Sequence, residues 1–254
     1  MSDITTTTPP DLEAEIKAIA RTYKAASGPG MQVLNLLGGH AENLIDRLPS
    51  PVRAKLGEAT ERALVIALDA AQSSRRTVPD QAPWLNKAVA TAMGAAGGFG
   101  GLPSAMVELP VTTTVLMRTI QGAAVEQGFD PEADNVRFDC LRVFGSAGPL
   151  AHDDGADLGF LSVRLALTGG AMQKMIATVA PRLGAALGQK LAAQTVPVLG
   201  AVAGAATNYA FTSYYHNMAQ VHFGLRRLSI DADVPHEDLV LRLAREMGRP
   251  LTRG

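Results

Sequence analysis

Val196-Pro-Val-Leu-Gly-Ala-Val-Ala-Gly-Ala-Ala-Thr-Asn208 lies inside a longer run, residues 191–225, that contains no Asp, Glu, Lys or Arg. Lys190 and Arg226 bound that run. Neither here nor elsewhere does the chain show a convincing period-two alternation of apolar and polar residues. The fold class expected is therefore all-α: a multi-helix bundle around two long Gly/Ala-rich central helices, with no sheet. Pro197 starts the later of these helices, which runs to about Leu228. Advancing about 100° per residue from Asn208 places Asn208, Thr212, Tyr215, Ala219, His222 and Arg226 within about 40° of one line. Ala210, Phe211, Tyr214, Met218, Val221, Leu225 and Leu228 fall on the far side. The second half of the helix is thus amphipathic, and its first half is small and apolar all round. Gly200 and Gly204 form a G-x-x-x-G spacing that lets another helix approach closely.

The other long helix spans Ser104 to Gln127, restarted by Pro103 and ended by Gly128. Gly94-Ala-Ala-Gly-Gly-Phe-Gly-Gly101 breaks the helix before it. Gly97, Gly98, Gly100 and Gly101 there read as a sharp turn with close backbone packing, in preference to an anion cradle. Glu108, Thr112, Val115, Thr119, Gly122 and Glu126 share one face. Glu108 is the only charge from Ala88 to Met117, and a carboxylate in such surroundings is costly unless paired or hydrogen-bonded. The expectation is that the two polar stripes face each other, with Glu108 near Asn208, Thr212 or Tyr215. Together with Thr112, His222 and Arg226 these residues form the candidate polar pocket.

The remaining chain reads as shorter helices: Asp11 to Ala26, one or two within Met31 to Leu48, and a helix to about Ser73 with Ser50 as N-cap and Pro51 as first helical residue. Trp84 to Ala96, Pro131 to Phe144, Asp157 to Leu167, Met172 to Thr195 and His236 to Met247 follow. Residues 1–10 are expected to be a disordered tail, 11–80 an N-terminal helical region and 81–248 the helical core, all in one globular unit apart from the tail. The tail has no basic n-region and no apolar h-region, so it is not a Sec signal. The expected location is the cytoplasm, peripheral on or inserted into the inner membrane.

Charge and motif content exclude several classes. The formal net charge is −1 and 19% of residues are charged, against about 25% in ordinary soluble domains. That gives no footprint for nucleic acid. The single cysteine, Cys140, leaves no internal disulfide and no cysteine zinc site, and it reads as an inert buried thiol. The usual hydrolase, metalloprotease, P-loop and dinucleotide motifs are missing. His152-Asp-Asp-Gly-Ala-Asp157 does not have EF-hand spacing and reads as a polar, helix-capping loop. His216 and His222 lie about 240° apart around a helix and cannot chelate one ion. Arg118 and Arg164 sit in apolar runs and need a carboxylate or a route to solvent, with Asp139 and Glu108 as candidate partners. No catalytic residue, metal or cofactor is expected. A membrane span needs about 20 predominantly apolar residues. Ala88 to Val107 is cut by glycines and Pro103, and Val196 to Tyr215 is rich in nearly neutral Ala, Gly, Thr and Asn. A packed core helix is therefore favoured over a helical hairpin on or in a bilayer.

The segment Val196 to Phe211, followed by Ala219, Phe223 and Arg226-Arg-Leu228, resembles the EcsC protein family. So does Gly94-Ala-Ala-Gly-Gly-Phe-Gly-Gly-Leu-Pro103 with Glu108-Leu-Pro110 and Arg118. The resemblance covers Trp84 to Leu228, with the N-terminal 80 residues adding little. Glu108 stands where the family more commonly has Asp. The resemblance implies a bacterial protein from a family named for a gene beside the subunits of an ABC transporter linked to secretion. It brings no assigned reaction and no catalytic residues. The function expected is non-enzymatic, at the inner membrane or with a membrane transport or secretion partner. A lipid-binding, small-molecule-binding or catalytic protein with a pocket between the long helices, and a soluble interaction module, are the alternatives.

Overall fold

The computed structural model describes residues 11–26, 28–29, 46, 48–77, 109–146, 148–149, 158–162, 170–194 and 200–248. Its helices are α1 (Leu12–Ala26), α2 (Ser50–Thr77), α3 (Leu109–Glu126), α4 (Asp134–Val143), α5 (Gly159–Ser162), α6 (Ala171–Gln194), α7 (Gly200–Asp231) and α8 (His236–Glu246). No strand occurs among the described residues, so the fold is all-α. The expected segments 31–45 and 84–108, with Glu108, Gly97, Gly98, Gly100 and Gly101, lie outside the described residues, as do the loop 151–157 and Arg164.

Local chemistry sets the helix ends. Asp11 Oδ1 accepts the backbone N–H groups of Glu13 and Ala14, each at 3.2 Å, and so caps α1. The N–H groups of Val52 and Arg53 donate to the Pro49 carbonyl at 2.9 and 3.1 Å. Ser50 is therefore already helical, and the start falls one residue earlier than the sequence pattern indicates. α3 closes with Gly128 at φ 81. Its N–H donates to Val125 O at 2.8 Å, and the Phe129 N–H reaches back to Ala124 O at 2.9 Å. This is a Schellman closure that a left-handed glycine makes easy. α6 carries Pro181 in its interior. Pro181 and Ala177, whose carbonyl loses its donor, are both exposed, so water can take that carbonyl.

α7 is the axis of the bundle, packing against α1, α3, α4, α6 and α8. Both of its faces are consequently buried: Phe211, Tyr214, Met218, Val221 and Leu225 on one, Asn208, Thr212, Tyr215, Ala219 and His222 on the other. Its amphipathicity separates two interior environments. α2 covers α3 and α6. The α2–α6 crossing is close, since a Cβ on Gly184 would lie 3.3 Å from Thr60 Oγ1.

The helix directions follow from a few contacts. The Phe144 ring lies 5.2 Å from that of Tyr215 on α7, while the neighbouring Gly145 approaches Val179 on α6. Tyr215 and Val179 are thus level, and residues 195–199 link the following end of α6 to the start of α7. The two helices run antiparallel. From Val179 to Lys190 α6 rises 190 − 179 = 11 residues, about 16 Å, a level that α7 occupies near residue 204. Lys190 Nζ meets Thr112 Oγ1 at 3.2 Å, and Gln127 Nε2 donates to Gln220 Oε1 at 2.7 Å. α3 and α7 therefore climb together and run parallel. One pole of the bundle gathers the N-termini of α3 and α7 with the C-terminus of α6. Among the described residues, no helix is long and apolar enough to cross a membrane.

Candidate functional site: a buried charge cluster at Asp139

α4 buries Val136, Phe138, Cys140, Leu141 and Val143, and this packing turns Asp139 inward as well. Arg142 follows at i+3 on the same side. α7 contributes His222 and Arg226, one turn apart and two-thirds of the way along the helix. α8 contributes His236, its first residue.

Arg226 Nη1 donates to Asp139 Oδ2 at 2.6 Å, and its guanidinium sits 4.5 Å from the centroid of the Phe129 ring. Arg142 Nη1 lies 3.6 Å and His222 Nε2 3.3 Å from Asp139 Oδ1. The histidine contact is close but not aligned as a regular hydrogen bond. Burial raises the proton affinity of Asp139, but His222, Arg142 and Arg226 outweigh it and hold the carboxyl below its usual value. Burial likewise lowers the Arg142 value from that of a free guanidinium, with Asp139 opposing the shift. The His236 ring lies 6.1 Å from that of His222. His236 is hydrogen-bonded to the Leu161 backbone, and burial followed by the nearby His222 pushes it down to about 4. His222 itself is 1% exposed and packs edge-on against Phe223 at 5.2 Å.

Further along the same face of α7, Tyr215 is fully buried among Phe144, Tyr214 and Phe211. Its hydroxyl has no hydrogen-bond partner, and burial raises its proton affinity well above the usual value. Thr212 Oγ1 donates to the Asn208 carbonyl at 2.8 Å, one turn back. Asn208 is 5% exposed.

The structure thus brings His222 and Arg226 together on Asp139, while Thr112 meets Lys190, a lysine only 2% exposed. Gly200 and Gly204 lie in the first turns of α7. Asp139, Arg142, His236 and Lys190 were not among the site residues read from the sequence. Asp139, a candidate partner for Arg118 or Arg164 by sequence, serves cations from α4 and α7, and Arg118 Nη1 donates to Ser74 Oγ at 2.8 Å. The signal available was an Asp-x-x-Arg pair in a mostly apolar helix, which also describes many surface pairs.

A cleft of about 300 Å³ lies between α1 and α7, with Ile19 and Gly224 at its base and Gln127, Gln220 and Arg227 on its walls. Gln220 Nε2 also donates to Glu126 Oε2. This cleft is on the α1 side of α7, away from Asp139. Among the described residues no group of three His, Cys, Asp or Glu side chains could hold a metal ion.

Fold and cluster together define an all-helical bundle wound on one buried helix, with α4 and α7 tied at the Asp139 carboxylate and α8 reaching the cluster through His236. The chain belongs to the EcsC protein family, whose family model matches residues 13–228. The match starts inside α1, so the family likeness extends to the N-terminal helices, beyond the Trp84 to Leu228 that the motifs cover. No curated protein and no solved structure matches the chain.

Proposed function

We propose that this protein is a non-enzymatic bacterial helical protein that docks on the inner membrane, or on a transport or secretion partner there, through the pole where α3 and α7 begin. The observation that carries this reading is a convergence. The charge-free stretch Ala88 to Val107 precedes α3 in sequence, and the charge-free linker 195–199 precedes α7. By connectivity both meet the described bundle at this one pole. Val111, two residues into α3, and Tyr209, nine residues into α7, are 49% and 44% exposed. Exposed apolar side chains suit an apolar partner, whereas the charged cluster lies about 33 Å from Gly200 along α7, at His222.

The test is recovery with membranes. Cells expressing the tagged protein are fractionated, the membranes are washed with high salt and then alkaline carbonate, and the purified protein is floated with vesicles of bacterial lipid. Membrane recovery or flotation supports docking. A protein that stays wholly in the soluble fraction and sediments away from vesicles and from inner-membrane preparations overturns it.

A further inference from the structure

The cluster around Asp139 holds more polar atoms than its residues satisfy. Arg142 Nε, His222 Nδ1 and His236 Nε2 are buried without a hydrogen-bond partner, and His222 Nε2 has only the misaligned contact with Asp139 at 3.3 Å. They belong to three side chains on three helices: Arg142 and His222 lie beside the Asp139 carboxylate, and His236 packs against His222. Buried polar atoms are almost always paired with protein, water or an ion, so such a concentration marks the place of a non-protein group.

The charge balance indicates its sign. One carboxylate, Asp139, faces two guanidiniums, Arg142 and Arg226. Among the described residues the carboxylate and guanidiniums of the cluster sum to a net +1. α5 brings no charged side chain, Gly159–Ser162 being GFLS. On α8, Glu237 and Asp238 follow His236 but are exposed, and from α1 Glu13 is engaged by Arg242 at 3.3 Å. The Arg142 and Arg226 side chains are 16% and 23% exposed, while His222 is 1% exposed. The cluster therefore opens toward solvent on its guanidinium side and has an imidazole floor.

We propose that this cluster binds one phosphate group, free or at the end of a small phosphorylated molecule, between Arg142, His222 and His236. A neutral imidazole offers one N–H and one lone pair, and His236 already spends one nitrogen on Leu161. A monoprotonated phosphate matches this mixture. Its bare oxygens accept from Arg142 Nε–H, and its P–OH donates to an imidazole lone pair or passes that proton to the ring. In the second case the phosphate gains one negative charge, the imidazole gains one positive charge, and no other bond changes. Sulfate at neutral pH carries no proton and leaves the lone pair unmet, so the site discriminates against it. Water meets the same atoms but leaves the positive charge unbalanced.

The experiment uses the full chain with histidines labelled at Cε1, observed by NMR at constant ionic strength. Inorganic phosphate, glycerol phosphate and sulfate are added in separate titrations. Inorganic phosphate or glycerol phosphate is expected to move the His236 signal saturably, and to raise its titration midpoint from about 4 by about one pH unit, a tenfold gain in proton affinity. A response to both identifies free phosphate as sufficient; a response to glycerol phosphate alone places the group on a larger ligand. Arg142→Gln is expected to weaken the response at least about tenfold, the worth of one hydrogen bond to a charged group. Should that variant fail to fold, His236→Gln measured by calorimetry against the same ligands replaces it, again with about tenfold weaker binding expected. The proposal is overturned if neither phosphate compound produces a saturable shift, if sulfate does so equally at neutral pH, or if the folded variant responds like the parent.

Discussion

Arg226 holds Asp139 at 2.6 Å while its guanidinium lies over Phe129 at 4.5 Å. This one side chain ties α7 both to α4 and to the turn that follows α3. Removing the carboxylate leaves two guanidiniums buried without their counter-charge, and breaking a buried pair from one side costs about 3–5 kcal/mol. With 12% of the Asp139 side chain and 23% of Arg226 still exposed, Asp139→Asn is expected near the lower end, about 3 kcal/mol by urea unfolding. Adding Arg226→Met should recover part of the loss, giving a coupling above about 1 kcal/mol in the double-mutant cycle. Strictly additive losses would show that the pair contributes no mutual stabilisation.

The acid side of the stability curve carries the signature of His236. Its value falls from 6.5 when unfolded to about 4 when folded. As pH drops through 6.5 the unfolded chain takes up a proton that the folded chain refuses, so stability declines until about pH 4 and then levels for this group. The difference of 6.5 − 4 = 2.5 units sets an upper bound of about 3 kcal/mol. Asp139 acts lower: its folded value is depressed, so its contribution is present above the unfolded carboxylate range and is lost as pH falls through the folded value. In phosphate-free buffer, His236→Gln should flatten the slope between pH 6.5 and 4.5. An unchanged slope would place the titration elsewhere.

Two glycines should respond in opposite directions. Gly148 has φ +92, and a Cβ there would meet Ala186 Cβ at 2.8 Å. Gly148→Ala is expected to cost about 3 kcal/mol, from left-handed strain and overpacking together. Gly122 lies inside α3 with nothing within 4 Å of its Cβ position. Gly122→Ala is expected to stabilise by roughly 1 kcal/mol through helix propensity. Thermal unfolding of the two variants against the parent separates these effects.

The helices were legible because their signals are local. Asp11 at the start of α1 and Gly128 at the end of α3 act through backbone groups within five residues. Residues 191–225 marked the central helix because a charge-free run has to be buried somewhere. The Asp139 cluster was not legible, since it joins residues 139, 222 and 236 by packing alone. A wheel drawn on α7 shows His222 and Arg226 on one face but cannot say that α4 lies there. Lys190 read as the boundary of an apolar run. It is 2% exposed and donates to Thr112, because α6 runs antiparallel to α7 and brings that boundary against α3.

The docking pole is tested most directly by vesicle flotation of three proteins. One is the parent, one carries Val111→Glu with Tyr209→Glu at the pole, and one carries Ile230→Glu. Ile230 is 60% exposed and stands about 31 Å from Tyr209 along α7. Each substitution alters an exposed helix position, where stability changes are usually within about 0.5 kcal/mol. The parent and Ile230→Glu are expected to float with the lipid and the Val111/Tyr209 variant to lose at least about tenfold in vesicle affinity, roughly 1.4 kcal/mol. Equal flotation of all three, or a loss confined to Ile230→Glu, would contradict docking through the pole where α3 and α7 begin.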